Sequence, residues 1–174
     1  MLHVRPLQSE DLDNLLDYWY QATEEHLRGM GADPAKLPAR ADFRAMLMSQ
    51  LATPVPERRA YALIWELDGQ GIGHTNTNPT FFGDYAHMHL HLWQGDHRRR
   101  GLGVELVKRS LPIFFRELEL QKLYCEPYAL NPAPNATLPK AGLRFEQEYH
   151  TIPGSINFPQ RVKRWVIDRA DVLG

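Results

Sequence analysis

The stretch from Tyr85 to Leu118 constrains this chain more than any other. Tyr85 to Trp93 alternates in character, with His87, Met88, His89, Leu90, His91 and Leu92 in strict succession. That period of two predicts a half-buried strand. From Gly101 to Leu118 the spacing changes, and Leu102, Leu106, Val107, Leu111, Phe114, Phe115 and Leu118 share one face of a helix. Between the two lies Arg98-Arg99-Arg100-Gly101-Leu102-Gly103. A helix start exposes unpaired N–H groups and the positive end of its dipole. Glycine there lets the backbone approach an anion closely. Forked arginine donors suit phosphate oxygens. The junction therefore predicts an anion site between a strand and a helix.

The remaining elements fit around it. Leu2 to Arg5 is a strand that stops at Pro6. Ser9 is placed to cap a helix carrying Leu12, Leu15, Leu16 and Trp19. Gly29 to Arg40 reads as a loop, and Asp42 as the cap of a second helix with Phe43, Met46, Leu47 and Leu51 on its apolar face. Tyr61 to Leu67 and Ile72 to Asn78 read as a hairpin turning at Asp68-Gly69. Pro112 should kink the helix after the turn. Lys122 to Glu126 is a further strand, Asn131 to Ala141 a Pro-rich helix ended by Gly142, and Phe145 to Ile152 and Arg161 to Ile167 are closing strands. The order predicts one α/β (α+β) domain over residues 1–174: a mixed, mostly antiparallel sheet of about seven strands flanked by about four helices.

Two nucleotide motifs fail at the turn. The dinucleotide fingerprint would need glycine where Leu106 stands, and no Gly-Lys-Ser/Thr follows for a Walker loop. A solvated basic turn capping a helix is the plain alternative. The segment does resemble motif A of the GNAT superfamily of N-acyltransferases, Arg/Gln-x-x-Gly-x-Gly/Ala, through Arg98, Gly101 and Gly103. Downstream, Asn131 and Lys140-Ala141-Gly142-Leu143 sit at the offsets of that family's asparagine and Lys-x-Gly-Phe motif. The motifs span roughly Tyr61 to Phe145, and the element order extends the likeness to the whole chain. The chain looks most similar to the ribosomal-protein N-acetyltransferase-like branch, which often has leucine where other members have a catalytic tyrosine; Leu138 stands there.

The resemblance implies acetyl-CoA as acyl donor and direct attack on its thioester by an amine. Backbone amides of Arg98, Arg99, Arg100, Gly101, Leu102, Gly103 and Val104 would cradle the CoA pyrophosphate. Leu92 and Trp93 would bond the pantetheine arm through their backbone, and Asn131 would meet it from the other side. Three departures stand out: Gly95 where proline is usual, Pro134 and Pro139 within the family's fourth helix, and Leu143 in place of phenylalanine. The proline-broken helix, with leucine at Leu138 in place of tyrosine, leaves open a second reading, an acyl-CoA-binding module without turnover.

The three alternate histidines share one strand face. Amine attack requires loss of a proton, and imidazole is suited to take it near neutral pH. In several GNAT members a glutamate on this strand is the base, and His89 and His87 fall on the corresponding offsets. His89 is the first candidate and His87 the second; His74 is a weaker one, and His91 reads as structural. Alternate histidines could chelate a metal, but no acidic or cysteine partner has ligand spacing, so no metal is expected. Cys125 reads as buried and inert. Tyr128 is a candidate for protonating the thiolate in place of a tyrosine at Leu138.

Composition narrows the partners. With 20 basic and 21 acidic residues the net charge is −1, which argues against a nucleic-acid binder. A single cysteine, no signal-like apolar stretch near Met1 and no run of about 18 apolar residues point to the cytoplasm and away from membranes. A monomer and a homodimer are equally compatible. The acceptor would be set by the loops Ala22 to Arg40 and Gly154 to Gln160, where Glu24, Glu25 and Asp33 would favour a cationic amine.

Overall fold

The computed structural model describes residues 1–98 and 100–174. Its frame is a seven-stranded sheet in the order β1-β2-β3-β4-β5-β7-β6. The strands are β1 (Leu2–Pro6), β2 (Tyr61–Leu67), β3 (Gln70–Thr80), β4 (Tyr85–Leu92), β5 (Lys122–Cys125), β6 (Arg144–Thr151) and β7 (Gln160–Asp168). All neighbours pair antiparallel except β4 and β5. The mixed, mostly antiparallel sheet expected from the sequence is the one observed.

Alternation sorts each strand's side chains into two cores. On one side Leu63, Trp65, Ala86 and Met88 pack with Leu106, Val107, Leu111, Phe114 and Phe115 of helix α5 (Leu102–Glu117) and Leu138 of α6 (Pro132–Lys140). On the other side Ile64 packs with Leu12, Leu15 and Trp19 of α1 (Leu12–Tyr20) and Leu27 of α2 (Glu24–Gly29). Fully burying a leucine or phenylalanine is worth about 1.5–3 kcal/mol. The α5 face is therefore the strongest single anchor of the turn that precedes it. Inside that core the Trp65 indole donates to Ser110 Oγ at 2.9 Å.

The helices differ from expectation in number and in their starts. Beyond α1, α3 (Arg40–Ala52), α5 and α6, the described residues hold short helices α2, α4 (Gly95–Arg98) and α7 (Arg169–Leu173). Part of the stretch read as loop is thus helical at Gly29, and α2 is capped by the Thr23 side chain accepting from His26 N. Ser9 is not the first cap: Gln8 and Asp11 form a reciprocal capping box instead. Nor is Asp42, because α3 begins two residues earlier at Arg40. Met46 is half exposed on α3, which packs through Phe43, Leu47 and Leu51 against the core that α1 covers.

The prolines are accommodated by position. Pro132 and Pro134 lie in the first turn of α6, where a missing N–H costs nothing. Pro112 lies within α5, yet the helix continues through it, held by the buried residues on either side. No helix among the described residues is long and apolar enough to cross a membrane.

Candidate active site

Strands β4 and β5 run side by side only from Tyr85↔Lys122 to Met88↔Cys125. Beyond that point β4 continues to Leu92 while the chain after Cys125 turns away, so the sheet splays open. A cleft of about 890 Å³ fills the gap. Gly101, Gly103, Val104, Asn131, His89 and Glu126 are among the residues that border it, with Tyr128, Thr137, Asn157 and Gln160.

The glycine turn has the geometry its sequence predicts. Gly101 caps α5 in the left-handed region, at φ 71° and ψ 11°. An L side chain resists that conformation. The N–H groups of Leu102, Gly103 and Val104 form the first turn of α5, where no carbonyl of the helix's own can reach them. A side chain on Gly103 would point toward Thr137 and Leu92 across the cleft mouth. Leu102 itself turns to the core, leaving only its backbone for a ligand. Arg100 is exposed, and Arg99 lies outside the described residues.

Arg98 departs from the expected phosphate arm. Its Nε and Nη2 donate to Leu92 O at 3.1 and 2.8 Å, and its Nη1 lies 3.3 Å from His26 Nδ1. The guanidinium is a strut between the end of β4 and helix α2. The pantetheine contacts also need one correction. Trp93 donates its backbone N–H to Ile72 O at 2.9 Å and its indole N–H to His74 Nδ1 at 2.8 Å. Only its carbonyl is left for such a contact. Because ladder groups alternate in direction, the N–H of Leu92 faces the open side. Asn131 borders the cleft at the N-cap of α6 with no cap bond from its side chain.

The three strand histidines share a face as predicted, but each meets a different element. His91 Nδ1 is 3.0 Å from the Tyr18 hydroxyl, and its ring stacks on His74 with centroids 4.7 Å apart. Burial holds His91 well below the ordinary histidine range, with His74 adding to it. Burial likewise pushes His74 down to about 3. Both rings stay neutral and belong to the packing. Burial raises the Tyr18 hydroxyl above its usual range, so it remains a proton donor.

His89 borders the cleft, and its Nε2 lies 2.8 Å from Asn78 O. A carbonyl only accepts, so Nε2 carries the proton and the neutral ring's basic lone pair is on Nδ1. A bulge in β3 makes this possible. Thr77 pairs with Met88 and Thr80 with Ala86, so Asn78 and Pro79 stand against His87 alone. That excess bends β3 and carries the Asn78 carbonyl to the ring. Burial lowers the His89 pKa, opposed by the bond to Asn78.

His87 donates from Nδ1 to Glu126 Oε1 at 2.8 Å. Glu126 also receives the Tyr149 hydroxyl. Burial alone would raise the Glu126 carboxyl, but the bonds from His87 and Tyr149 bring it below the usual carboxylate range. Burial and the neighbouring carboxylate push the Tyr149 hydroxyl up to about 12. Glu126 was not among the residues expected from the sequence. Its signal was slight: one acid closing the apolar strand Leu123-Tyr124-Cys125.

Other candidates resolve simply. Cys125 is buried, and burial raises its thiol far above the usual range, which leaves it inert. Leu138 is fully buried in the core. Tyr128 borders the cleft with Phe158 packed edge-on against it. Among the described residues no group of three or more His, Cys, Asp or Glu is placed to hold a metal ion.

The sequence pattern described as the acetyltransferase (GNAT) domain matches residues 1–144. The chain belongs to the GNAT acetyltransferase family. Solved structures share the fold of this GNAT chain over nearly its whole length. One is the spermidine N-acetyltransferase of Vibrio cholerae in complex with CoA and spermine, at 18% identity and TM-score 0.79 over 99% of this chain and 98% of that one. Another is the aminoglycoside acetyltransferase AAC(6')-Ib in complex with CoA and kanamycin, at 19% identity and TM-score 0.74 over 98% and 96%. A search of curated proteins returns no match for this GNAT chain.

Proposed function

We propose that this protein is an N-acetyltransferase that moves the acetyl group of acetyl-CoA directly to a primary amine. The observation that carries the reading is the splayed β4–β5 cleft, which joins the Gly101–Val104 helix start to His89 with its lone pair on Nδ1. The CoA-bound relatives of the same fold support the choice of donor. Kinship with the ribosomal-protein-like branch rests on Leu138 alone.

The CoA pyrophosphate lies on the free N–H groups of Leu102, Gly103 and Val104, and Asn131 meets the pantetheine from α6. The amine nitrogen attacks the thioester carbonyl carbon, and negative charge grows on the carbonyl oxygen. The Leu92 N–H, facing the open side, is the backbone donor for that charge. His89 Nδ1 takes the proton lost by the amine. The C–S bond breaks, and the thiolate is protonated from Tyr128 or from water.

Thiol release from acetyl-CoA across an amine panel tests this. His89→Gln, which cannot take a proton, is expected to lower kcat about 100-fold or more while leaving acetyl-CoA affinity unchanged. Gly103→Glu, which sets a carboxylate in the anion site, is expected to abolish acetyl-CoA binding in calorimetry. Tight binding of acetyl-CoA with no turnover of any amine would instead identify a binding module. Unchanged affinity in Gly103→Glu would overturn the site.

A further inference from the structure

Glu126 borders the cleft with its side chain only 9% exposed. Its two oxygens each accept one bond, from His87 and from Tyr149. A carboxylate has about four lone-pair sites, so capacity remains on both. No lysine or arginine among the described residues pairs with it. The nearby cation, Arg164, pairs with Glu146 at 3.1 Å and lies over the Tyr124 ring at 3.8 Å. Arg164 therefore acts on Glu126 only through space, and a buried carboxylate that faces a cleft with no cation bonded to it favours one from the ligand.

We propose that Glu126 seats the incoming ammonium group of the acceptor, which gives up one proton to water before the neutral amine attacks, and that the acceptor is a compact amine bearing one positive charge on an apolar body in solution. This rests on the acetyl-transfer reading above. The charge follows from the other acids. Glu24 is paired with Arg28 at 2.9 Å, and the Asp33 carboxylate caps Ala35 N at 3.0 Å. Glu25 borders the cleft but is exposed, where water and salt screen it. A polycation would find one deep carboxylate and no row of them. The apolar body follows from Met30, Pro127, Leu130 and Pro153 along the walls.

The size follows from a strap between the two acceptor loops. Asp33 N donates to Ile156 O at 2.7 Å, and Lys36 Nζ to Asn157 O at 2.9 Å. Asn157 Nδ2 and Gln160 Nε2 both donate to Gly31 O, at 2.9 and 2.8 Å. Asn157 and Gln160 also border the cleft, so this side is closed to a long acceptor.

The test compares 2-phenylethylamine, spermidine and kanamycin as acceptors with acetyl-CoA. The expected result is a kcat/KM for 2-phenylethylamine at least tenfold above the other two. In Glu126→Gln the KM for that amine rises at least tenfold, with the KM for acetyl-CoA unchanged and partial rescue by Glu126→Asp. Calorimetry of 2-phenylethylamine on CoA-saturated protein, which cannot react, reads the seat without turnover. There Glu126→Gln weakens binding at least tenfold. Preference for spermidine or kanamycin, or binding indifferent to Glu126→Gln, would overturn the proposal and leave the transferase reading standing. Glu126-dependent binding with no amine turned over would keep the seat and remove the transferase.

Discussion

Acidification should destabilise this protein through the buried His74 ring before its carboxylates protonate. His74 is 3% exposed, stacks on His91 and accepts the Trp93 indole N–H at Nδ1. Protonation would remove that acceptor and bury a charge. Its pKa falls to about 3 in the folded state, against about 6.5 unfolded. The unfolded chain therefore binds the extra proton as pH drops below about 6.5, and folding stability falls with it until the folded pKa is reached. At pH 5 the unfolded ring is almost fully charged and the folded one almost fully neutral. The linkage is then about 2 kcal/mol, a large share of the roughly 5–15 kcal/mol that holds a typical domain folded. Urea unfolding followed by tryptophan fluorescence at pH 7 and pH 5 measures it. His74→Asn keeps an acceptor for the indole and removes the titration, so the variant should lose about 2 kcal/mol less than the wild type over that interval. Equal losses in the two proteins would refute the reasoning.

Gly101→Ala meets no atom within 4 Å, so its cost is the left-handed backbone alone. About 1–2 kcal/mol and a fall of several degrees in Tm are expected in a thermal scan. Ser110→Ala leaves the Trp65 indole N–H without its acceptor in a core with no exposure, and should lower stability by about 1–3 kcal/mol in urea titration. For the reaction, burial lowers the His89 pKa, and the base must be neutral to act. The acid limb of kcat/KM should have its midpoint below pH 6.5, and a midpoint above that value would exclude His89 as the base.

The turn, the sheet and most of the core were legible because they follow from local periodicity and from glycine's conformational range. The α5 face needed only its own spacing, and its residues are buried as expected. The partners of the histidines were not legible. Alternation places His87, His89 and His91 on one face, but tertiary neighbours decide their roles: the end of β5 for His87, the β3 bulge for His89 and Tyr18 of α1 for His91. Glu126 escaped notice because its place beside His87 comes from the parallel register of β4 and β5, which no local pattern encodes. The α2 helix did have a signal, Thr23 ahead of Glu24 and Glu25, masked by the glycines and prolines just after it.

The excess of residues in β3 has a consequence for how this site tolerates change. The contact that decides which nitrogen of His89 is protonated comes from the main chain at Asn78. The side chain at that position is therefore free to vary without disturbing the base. Removing a residue between Thr77 and Thr80 would not be neutral. It would slide the neighbouring ladder and take away the carbonyl, so the length of this segment, more than its composition, fixes the proton on the ring.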